Sequence, residues 1–398
     1  MNNCLPEDFS TRVKAYRDEL IAFRRDVHRH PELGWQEVRT TRVIQERLEA
    51  AGLRPRNLPK GTGLVCDIGE GGSAVALRGD IDALPVQDNK NVPYRSIVPG
   101  VCHACGHDVH TTVLLGAGLV LADLAREGRL PWRVRLIFEP AEEVVPCGSL
   151  DVITAGALDG VERIFALHCD PRLDVGLVGL RTGALTATYD HLLLRIKGPG
   201  GHTSRPHLTV DLVHVLAAMA TELPAALSRW VDPRTVMSLV WGRIAAGSAP
   251  NAIPSIGELE GAIRCLDVRA WHQAPGLIRE LASRVAALYG AEVEIVYQRD
   301  VPPVVNDAES VELLRTAVTA ALGSDAAVEA EQSLGSEHFA WYLEKLPGAL
   351  ARLGVRTPGD TTVRDLHQGT FNVDERAIEI GVKLLISVAL SSSLSERH

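Results

Sequence analysis

Residues 133–143, RVRLIFEPAEE, are predicted to form a strand, half-exposed by its alternation, that runs into two adjacent glutamates, Glu142 and Glu143. Residues 164–170, IFALHCD, predict a second strand that is almost wholly apolar at its start and is followed by His168. Strands inside parallel sheets have this composition, and ligands gather beyond the carboxyl ends of strands in open α/β sheets. The two stretches therefore predict a functional site at one edge of a sheet.

Length and composition indicate two domains that fold without disulfide bonds. The 398 residues exceed the usual size of one hydrophobic core. Seven scattered cysteines and a start, MNNCLPEDFS, that is unlike a secretory signal favour a reduced compartment, so a cytoplasmic protein is expected. A net charge of −9 disfavours a nucleic-acid partner. The longest apolar stretch is interrupted by Thr, Gly and Asp, so no membrane span is expected.

Helical and strand patterns alternate along most of the chain, which predicts an α/β fold with a central mixed sheet flanked by helices. Residues 187–300 differ, because four strand-like and two helix-like segments there form a self-sufficient α+β unit. We therefore predict one domain from residues 1–186 and 301–398, and an inserted domain from residues 187–300 with a four-stranded sheet and two helices.

Residues 101–110, VCHACGHDVH, concentrate potential metal ligands. Cys105 and His107 are two positions apart, so on an extended or loop backbone their side chains point to the same side. In isolation such a pair is often accidental, since buried cysteine is common for packing reasons. A structural zinc site from Cys102, Cys105, His107 and His110 is an alternative, but this spacing leaves almost no chain to fold around the metal.

The economical interpretation is that this loop supplies some metal ligands and distant strand ends supply the rest. With Glu143, His168 and His367, the cysteine–histidine pair forms a mixed N/O/S set suited to Zn²⁺, Mn²⁺, Ni²⁺ or Co²⁺, whereas Ca²⁺ is disfavoured. Each of these residues alone has an ordinary structural explanation. Asp80 and Asp82, in RGDIDALP, are candidates to hold a ligand histidine in one tautomer.

The two glutamates of FEPAEE can do different jobs. Neighbouring side chains diverge on an extended backbone, so one carboxylate can bind metal while the other acts as a base on water. Read alone, this motif could equally be a solvated acidic turn.

A third group lies in the predicted inserted domain: His202 in GPGGHTSRPH, Asn251 in APNAIPS and Arg264 in GAIRCLD. These side chains can donate hydrogen bonds to an oxyanion or a carboxylate. Spacing alone leaves open whether they do so or are ordinary polar groups of turns and sheet edges.

The order of motifs along the chain resembles a known family. The motifs are RGDIDALP, HACGHDVH, FEPAEE, ALHCDP, GPGGHTSRPH, APNAIP, GSEHF and DLHQGTF. This order is similar to that of the di-metal amidohydrolases of the aminoacylase and carboxypeptidase superfamily, in the branch of hippurate hydrolases, N-acyl-amino-acid amidohydrolases and auxin-conjugate hydrolases. The resemblance extends from DVHRHPELGWQE to GVKLL, nearly the whole chain.

The resemblance implies a metal-dependent hydrolase of N-acyl amino acids, with a catalytic domain interrupted by a lid domain that usually dimerises. It implies two divalent transition-metal ions, Glu142 as general base, and His202, Asn251 and Arg264 as contacts to the transition state and to the substrate carboxylate, with His202 reaching a partner subunit's site. Asp82 and Asp108 are expected to contact the metal ligands on the side away from the metal ions. The implied metal ligands are Cys105, His107, Glu143, His168 and His367.

The sequence departs from the family pattern in two places. Residues 144–149, VVPCGS, replace a glycine-rich turn, and His338 stands where an acid is expected. Three other functions stay open: a dipeptidase or carboxypeptidase, a non-catalytic member that binds a metabolite, and a hydrolase that uses Cys105 as nucleophile.

Overall fold

The computed structural model describes residues 8–362 and 364–392. It confirms the predicted α/β fold class, with an eight-stranded mixed sheet and a separate four-stranded antiparallel sheet. The chain divides into two compact units. The first comprises Met1–Gly183, Val305–Glu331 and Trp341–His398, and the second comprises Ala184–Val304 and Gln332–Ala340.

The α-helices of the described residues follow the amphipathic and apolar segments of the sequence. In chain order they are α1 (Phe9–Ala15), α2 (Arg17–Arg29), α3 (Val38–Ala50), α4 (His107–Arg126), α5 (Gly148–Thr154), α6 (Leu212–Trp230), α7 (Val268–Leu288), α8 (Ala308–Leu322), α9 (Ala340–Leu343) and α10 (Arg376–Ser391).

The strands range from two residues to fourteen. They are β1 (Arg56–Asn57), β2 (Leu64–Ile68), β3 (Ala74–Asp80), β4 (Arg133–Glu139), β5 (Val161–Asp174), β6 (Val178–Leu180), β7 (Gly183–Ala184), β8 (Tyr189–Lys197), β9 (Gly201–His202), β10 (Met237–Ala246), β11 (Ala252–Ile253), β12 (Ile256–Cys265), β13 (Glu292–Val301), β14 (Val305–Asn306), β15 (Ala327–Glu329) and β16 (Gly348–Arg356).

The large sheet has the strand order β1-β2-β4-β3-β5-β16-β6-β15. Strands β4, β3, β5 and β16 run parallel to one another. In this register Asp80 lies opposite Glu139, and Arg78 lies opposite Ala166. β3 and β4 therefore end at the same level of the sheet. His168 on β5 is two residues past Ala166, just as Asp80 on β3 is two residues past Arg78.

Helix α4 is apolar on nearly every side because it lies in the core of the first unit, against β3, α2 and α10. It is the helix among the described residues that is long and apolar enough to cross a membrane by composition, and 89% of its most apolar stretch is buried. Its composition is thus accounted for by the hydrophobic core.

The second unit has its own core. The sheet order is β10-β12-β8-β13, all antiparallel, and buried leucines of α6 and β8 join one apolar cluster with residues of β12 and α7. The segment Gln332–Ala340 also belongs to this unit, because the Ala187 N–H donates to Ser333 O at 3.0 Å and the Ser333 N–H donates to Leu185 O at 2.9 Å.

Gly106 joins the cysteine–histidine loop to α4. It precedes the helix with a φ of +88°, and a Cβ atom there would lie 2.8 Å from the Sγ of Cys169. An L-residue is disfavoured at such a φ. The loop consequently packs directly against β5 only because residue 106 has no side chain.

Helix α2 is tied to the first turn of α4 by buried charges. Arg24 Nε donates to Asp108 Oδ2 at 2.6 Å, and His28 Nδ1 lies 2.7 Å from the same oxygen. His28 Nε2 lies 3.3 Å from Asp88 Oδ2. Burial alone would raise the pKa of Asp108, but Arg24 and His28 outweigh it and hold this pKa well below its usual value.

Gly106→Ala is expected to lower the free energy of unfolding by about 2 kcal/mol or more, since a left-handed backbone costs an L-residue ~1–2 kcal/mol and the new Cβ meets Cys169. Gly128→Ala is the matched control, because Gly128 has a φ of +68° and open space around an added Cβ. Urea unfolding measures both variants. Equal losses of unfolding free energy in the two variants would show that the contact with Cys169 adds nothing to the cost at Gly106.

Arg24→Met is expected to cost about 3–5 kcal/mol of unfolding free energy near neutral pH, because it leaves a buried carboxylate without its partner. The pKa of Asp108 is lowered by folding, so the stability from this pair is fully present above the unfolded pKa of about 3.9 and is lost as the pH falls through the folded value. Urea unfolding at several pH values should therefore show a weaker loss of stability in acid for the variant.

The control for this test is Arg25→Met. Arg25 pairs with Glu375 at 2.6 Å and is 48% exposed, so its removal is expected to cost less than about 1 kcal/mol. The account of the buried pair is wrong if Arg24→Met keeps the acid dependence of the wild type.

Candidate metal centre

The structure brings the five candidate metal ligands together in the first unit. Cys105 lies in the loop before α4, His107 is the first residue of α4, and Glu143 follows β4. His168 lies on β5, and His367 precedes α10. Their potential ligand atoms, with those of Glu142, lie within 4.8 Å of one another in overlapping groups. These groups are Cys105–His107–His168, Cys105–Glu143–His367 and His107–Glu142–Glu143.

The distances between these atoms fit a cation. Glu143 Oε1 lies 3.7 Å from His107 Nε2 and 3.4 Å from His367 Nε2, and Cys105 Sγ lies 3.5 Å from His168 Nε2. Ligand atoms ~2.1 Å from a tetrahedral ion are about 3.4 Å apart. His107 Nε2 and Glu143 Oε1 are buried without a hydrogen bond, which is costly unless something else satisfies them.

Two candidate ligand histidines are oriented by acceptors behind them. Asp82 Oδ1 lies 3.0 Å from His107 Nδ1, and Asp82 Oδ2 accepts the Glu143 N–H at 2.9 Å. His168 Nδ1 lies 2.8 Å from Cys169 O, which can only accept. Both rings therefore carry their proton on Nδ1 when neutral, and their Nε2 lone pairs are available to a metal.

His110 is engaged on both ring nitrogens. Its Nδ1 lies 2.6 Å from Asp80 Oδ1, and its Nε2 accepts the Cys169 N–H at 2.8 Å. Cys102 joins no metal-ligand group among the described residues. The four residues of the alternative zinc site therefore share no ligand group, although His110 lies in one with Asp80 and His107.

The carboxylate of Asp108 contacts Arg24 and His28. It thus holds α4 in place, whereas Asp82 contacts the candidate ligand His107 at Nδ1 and Asp80 Oδ2 lies 3.7 Å from His107 Nε2.

The charges of the centre are strongly coupled. Burial raises the pKa of Cys105 well above its usual value, and the nearby Glu143 adds to this. Burial also lowers the pKa of His168, with Arg352 contributing. For Glu143, burial is outweighed by His367 and His107, so its pKa is lowered. A bound cation favours the thiolate and the neutral imidazole, so it would oppose the effect of burial on Cys105 and act in the same direction as burial on His168.

Backbone strain surrounds the centre. In the part of the chain that the structure describes, the non-glycine residues with positive φ are Trp35 (+66°), Ala141 (+54°) and His367 (+61°). Ala141 precedes the glutamate pair, and the His367 N–H donates to Ala104 O at 2.8 Å. Such conformations cost energy and persist where the surroundings impose them, commonly at functional sites.

His202 and Asn251 lie together in the second unit. β9 pairs with β11 so that His202 is opposite Ala252, and the Thr203 N–H donates to Asn251 O at 3.3 Å. The Ser204 N–H donates to His202 Nδ1 at 3.1 Å. The neutral ring therefore carries its proton on Nε2, where it is an exposed donor.

Arg264 is on β12, also in the second unit. Its Nη1 donates to Leu334 O at 2.7 Å, and its guanidinium lies 5.1 Å from the centre of the Tyr189 ring. His338, the departure from the family acid, is buried in the same unit.

Glu37 is not among the residues predicted from the sequence, yet its buried carboxylate accepts the Ala141 N–H at 2.7 Å. The signal was present, because Glu37 ends the stretch DVHRHPELGWQE that carries the family resemblance. Nothing in residue spacing links it to Ala141, which is about a hundred positions away.

Comparison with known proteins agrees with this centre. The sequence pattern of Peptidase family M20/M25/M40 matches residues 76–391. The chain is 37% identical to the N-acetylcysteine deacetylase of Bacillus subtilis, over 95% of this chain and 97% of that protein. It is 32% identical to the IAA-amino acid hydrolase ILR1-like 4 of Arabidopsis thaliana, over 97% and 88%.

A Rhodococcus jostii protein provisionally named glutamate–cysteine ligase 2-3 is 49% identical over 93% of this chain. The chain spans 46% of that relative's length, so the named activity need not belong to the shared part.

Solved structures show the same fold. A dinuclear metal-binding peptidase of family M20 from Bacillus subtilis superposes with a TM-score of 0.81 at 36% identity, over 95% of this chain and 98% of that one. A Staphylococcus aureus protein provisionally described as an aminohydrolase has a TM-score of 0.92 at 28% identity, over 97% and 99%. The chain therefore belongs to peptidase family M20/M25/M40, the di-metal amidohydrolases that its motifs resemble, and is a metallohydrolase of that family.

Proposed function

We propose that the protein hydrolyses the amide bond of N-acyl amino acids, giving a carboxylic acid and a free amino acid. The observation that carries this proposal is the pair of adjacent glutamates at the cluster. Glu143 places one oxygen near His107 and His367, while the mostly buried Glu142 has a carboxylate oxygen within 4.8 Å of a ring nitrogen of His107. One carboxylate can thus be a ligand and the other a base.

Two divalent ions, Zn²⁺, Mn²⁺, Ni²⁺ or Co²⁺, are proposed to bind the mixed sulfur, nitrogen and oxygen set. When bound, such ions lower the pKa of water and polarise a carbonyl group. The proposed ligands are Cys105, His107, Glu143, His168 and His367.

The chain's own residues would then move protons and bind the substrate. Glu142 takes a proton from the attacking water and delivers it to the leaving amine nitrogen as the C–N bond breaks. His202 donates from Nε2 to the developing oxyanion. Arg264 and Asn251 bind the carboxylate of the amino acid, for which a guanidinium is well suited.

The relatives guide the choice of substrates. The B. subtilis relative is named as a deacetylase of N-acetylcysteine, and the A. thaliana relative as a hydrolase of IAA-amino acids. N-acetylcysteine and other N-acyl amino acids therefore form the first assay panel.

A dipeptidase or carboxypeptidase is the second candidate, since the family and the superposed B. subtilis structure are named as peptidases. Equal turnover of dipeptides and N-acyl amino acids would favour it. A thiol mechanism is disfavoured, because burial raises the pKa of Cys105 and so opposes the reactive thiolate. A member that only binds a metabolite would show binding without turnover after metal is added.

We further propose a cytoplasmic homodimer formed through the second unit. Strand β10 is at the edge of its sheet, and Val240 and Ile244 on it are 65% and 57% exposed. An edge strand with exposed apolar residues pairs readily with a second copy.

Glu142→Gln is expected to lower kcat by about 10²–10⁴-fold while metal content is unchanged, because it removes the base and keeps the shape. Glu143→Gln, the matched control at the next position, should lower the bound metal per chain. Elemental analysis and assays of N-acyl amino acids on the same samples measure both. Full activity in Glu142→Gln, or activity in metal-free wild type, would contradict the proposal.

His202→Ala and Glu142→Ala should each be nearly inactive. If His202 acts in the partner subunit's site, mixing the two variants under subunit exchange should restore about a quarter of wild-type activity, because half the dimers would have one complete site. Size-exclusion chromatography establishes the dimer. No recovery in proven mixed dimers would show that His202 acts within its own subunit or not at all.

A further inference from the structure

We propose that Glu37 is a positioning residue that holds the glutamate turn, residues 140–143, in the conformation that separates Glu142 from Glu143. This inference rests on the proposed function for its kinetic consequence. The proposed effect of Glu37 on the orientation of Glu143 does not depend on the substrate.

The turn depends on an unfavourable backbone conformation. Ala141 has a φ of +54°, where an alanine is disfavoured. Its N–H donates to Glu37 Oε1 at 2.7 Å, and its carbonyl accepts the Gly148 N–H at 3.1 Å. The Ala141 peptide groups are thus held on both sides, and the conformation sets the directions of the two glutamates that follow.

Burial of the Glu37 carboxyl group is energetically unfavourable. It is fully buried, and its Oε2 has no hydrogen-bond partner. Burial raises the pKa of Glu37 to about 7, with the charge of Asp82 adding to the effect. Burying a carboxylate with a hydrogen bond to only one of its oxygens lowers the stability of the fold. We therefore look for the role of Glu37 in the backbone conformation that it fixes at Ala141.

Residues 34 and 35, which precede Glu37, also contact the glutamate turn and the residues that follow it. Gly34 packs so closely that a Cβ there would lie 2.8 Å from Val144 Cγ2 and 3.2 Å from Ala141 Cα. Trp35, itself at a φ of +66°, donates from Nε1 to Pro146 O at 3.0 Å. Residues 34–37 therefore contact the chain before and after the glutamate pair.

Glu32 provides a matched control within the same region. Its carboxylate also accepts backbone N–H groups, from Arg39 at 2.9 Å and Thr40 at 2.7 Å. These donors belong to α3 and not to the glutamate turn. Loss of Glu32 should affect helix stability without changing the catalytic pair.

The test compares Glu37→Leu, Glu37→Gln and Glu32→Leu. Leucine removes the acceptor for the Ala141 N–H, whereas glutamine keeps an oxygen. At saturating metal, Glu37→Leu is expected to lower kcat at least about tenfold with KM changed less than about twofold, because misplaced groups mainly cost rate. Glu37→Gln should stay within about threefold of the wild type, and Glu32→Leu should keep the wild-type kcat.

Cobalt titration gives a second readout that needs no substrate. Visible absorption of Co²⁺ reports ligand geometry, and Glu37→Leu is expected to bind Co²⁺ about tenfold more weakly, as for other residues behind metal ligands. Glu37→Gln and Glu32→Leu should resemble the wild type. If the wild type hydrolyses no N-acyl amino acid, the proposed function fails, and the titration still decides the role of Glu37.

The inference is overturned if Glu37→Leu matches Glu32→Leu in kcat and Co²⁺ affinity, or if Glu37→Gln loses as much as Glu37→Leu. Should Glu37→Leu fail to fold, Glu37→Asp takes its place. It keeps a carboxylate but is one methylene shorter, which withdraws the acceptor from the Ala141 N–H. A shifted Co²⁺ spectrum supports the inference, and an unchanged spectrum contradicts it.

Discussion

A buried imidazole nitrogen and a buried carboxylate oxygen, His107 Nε2 and Glu143 Oε1, lie 3.7 Å apart without hydrogen-bond partners. Proteins rarely leave such atoms unsatisfied. A bound cation would satisfy both, and the sulfur and imidazoles beside them could complete its coordination. The surrounding structure, including the Asp82 contacts and the Gly106 turn, keeps these atoms in place.

The sheet makes this arrangement possible. The parallel register of β3, β4 and β5 brings three chain segments to one edge, and each continues into a loop or residue of the centre. Helix α4 begins at the same edge, where the absence of a side chain at Gly106 lets its first turn approach β5. Charged residues buried behind the edge, such as Arg24 and Asp108, fix the helix on its far side.

Much of this could be predicted from the sequence. Alternating helical and strand patterns indicated the α/β class, because composition and alternation reflect burial directly. Strand-end acids and histidines, with the family resemblance, indicated the candidate ligands. Contacts between segments that are far apart in the chain could not be predicted from the sequence. The Glu37–Ala141 contact and the pairing of Asp108 with Arg24 depend on packing between distant segments. The inclusion of 332–340 in the second unit depends on hydrogen bonds to residues near 187, which no local pattern encodes.

X-ray absorption spectroscopy of protein loaded with Zn²⁺ or Co²⁺ tests the central claim most directly. The account predicts two bound ions per chain with mixed nitrogen and oxygen ligands and one thiolate sulfur at about 2.3 Å for zinc. The sulfur signal should vanish in Cys105→Ser and persist in Cys102→Ser. An absence of sulfur in the wild type, or protein that binds no transition metal, would contradict the account.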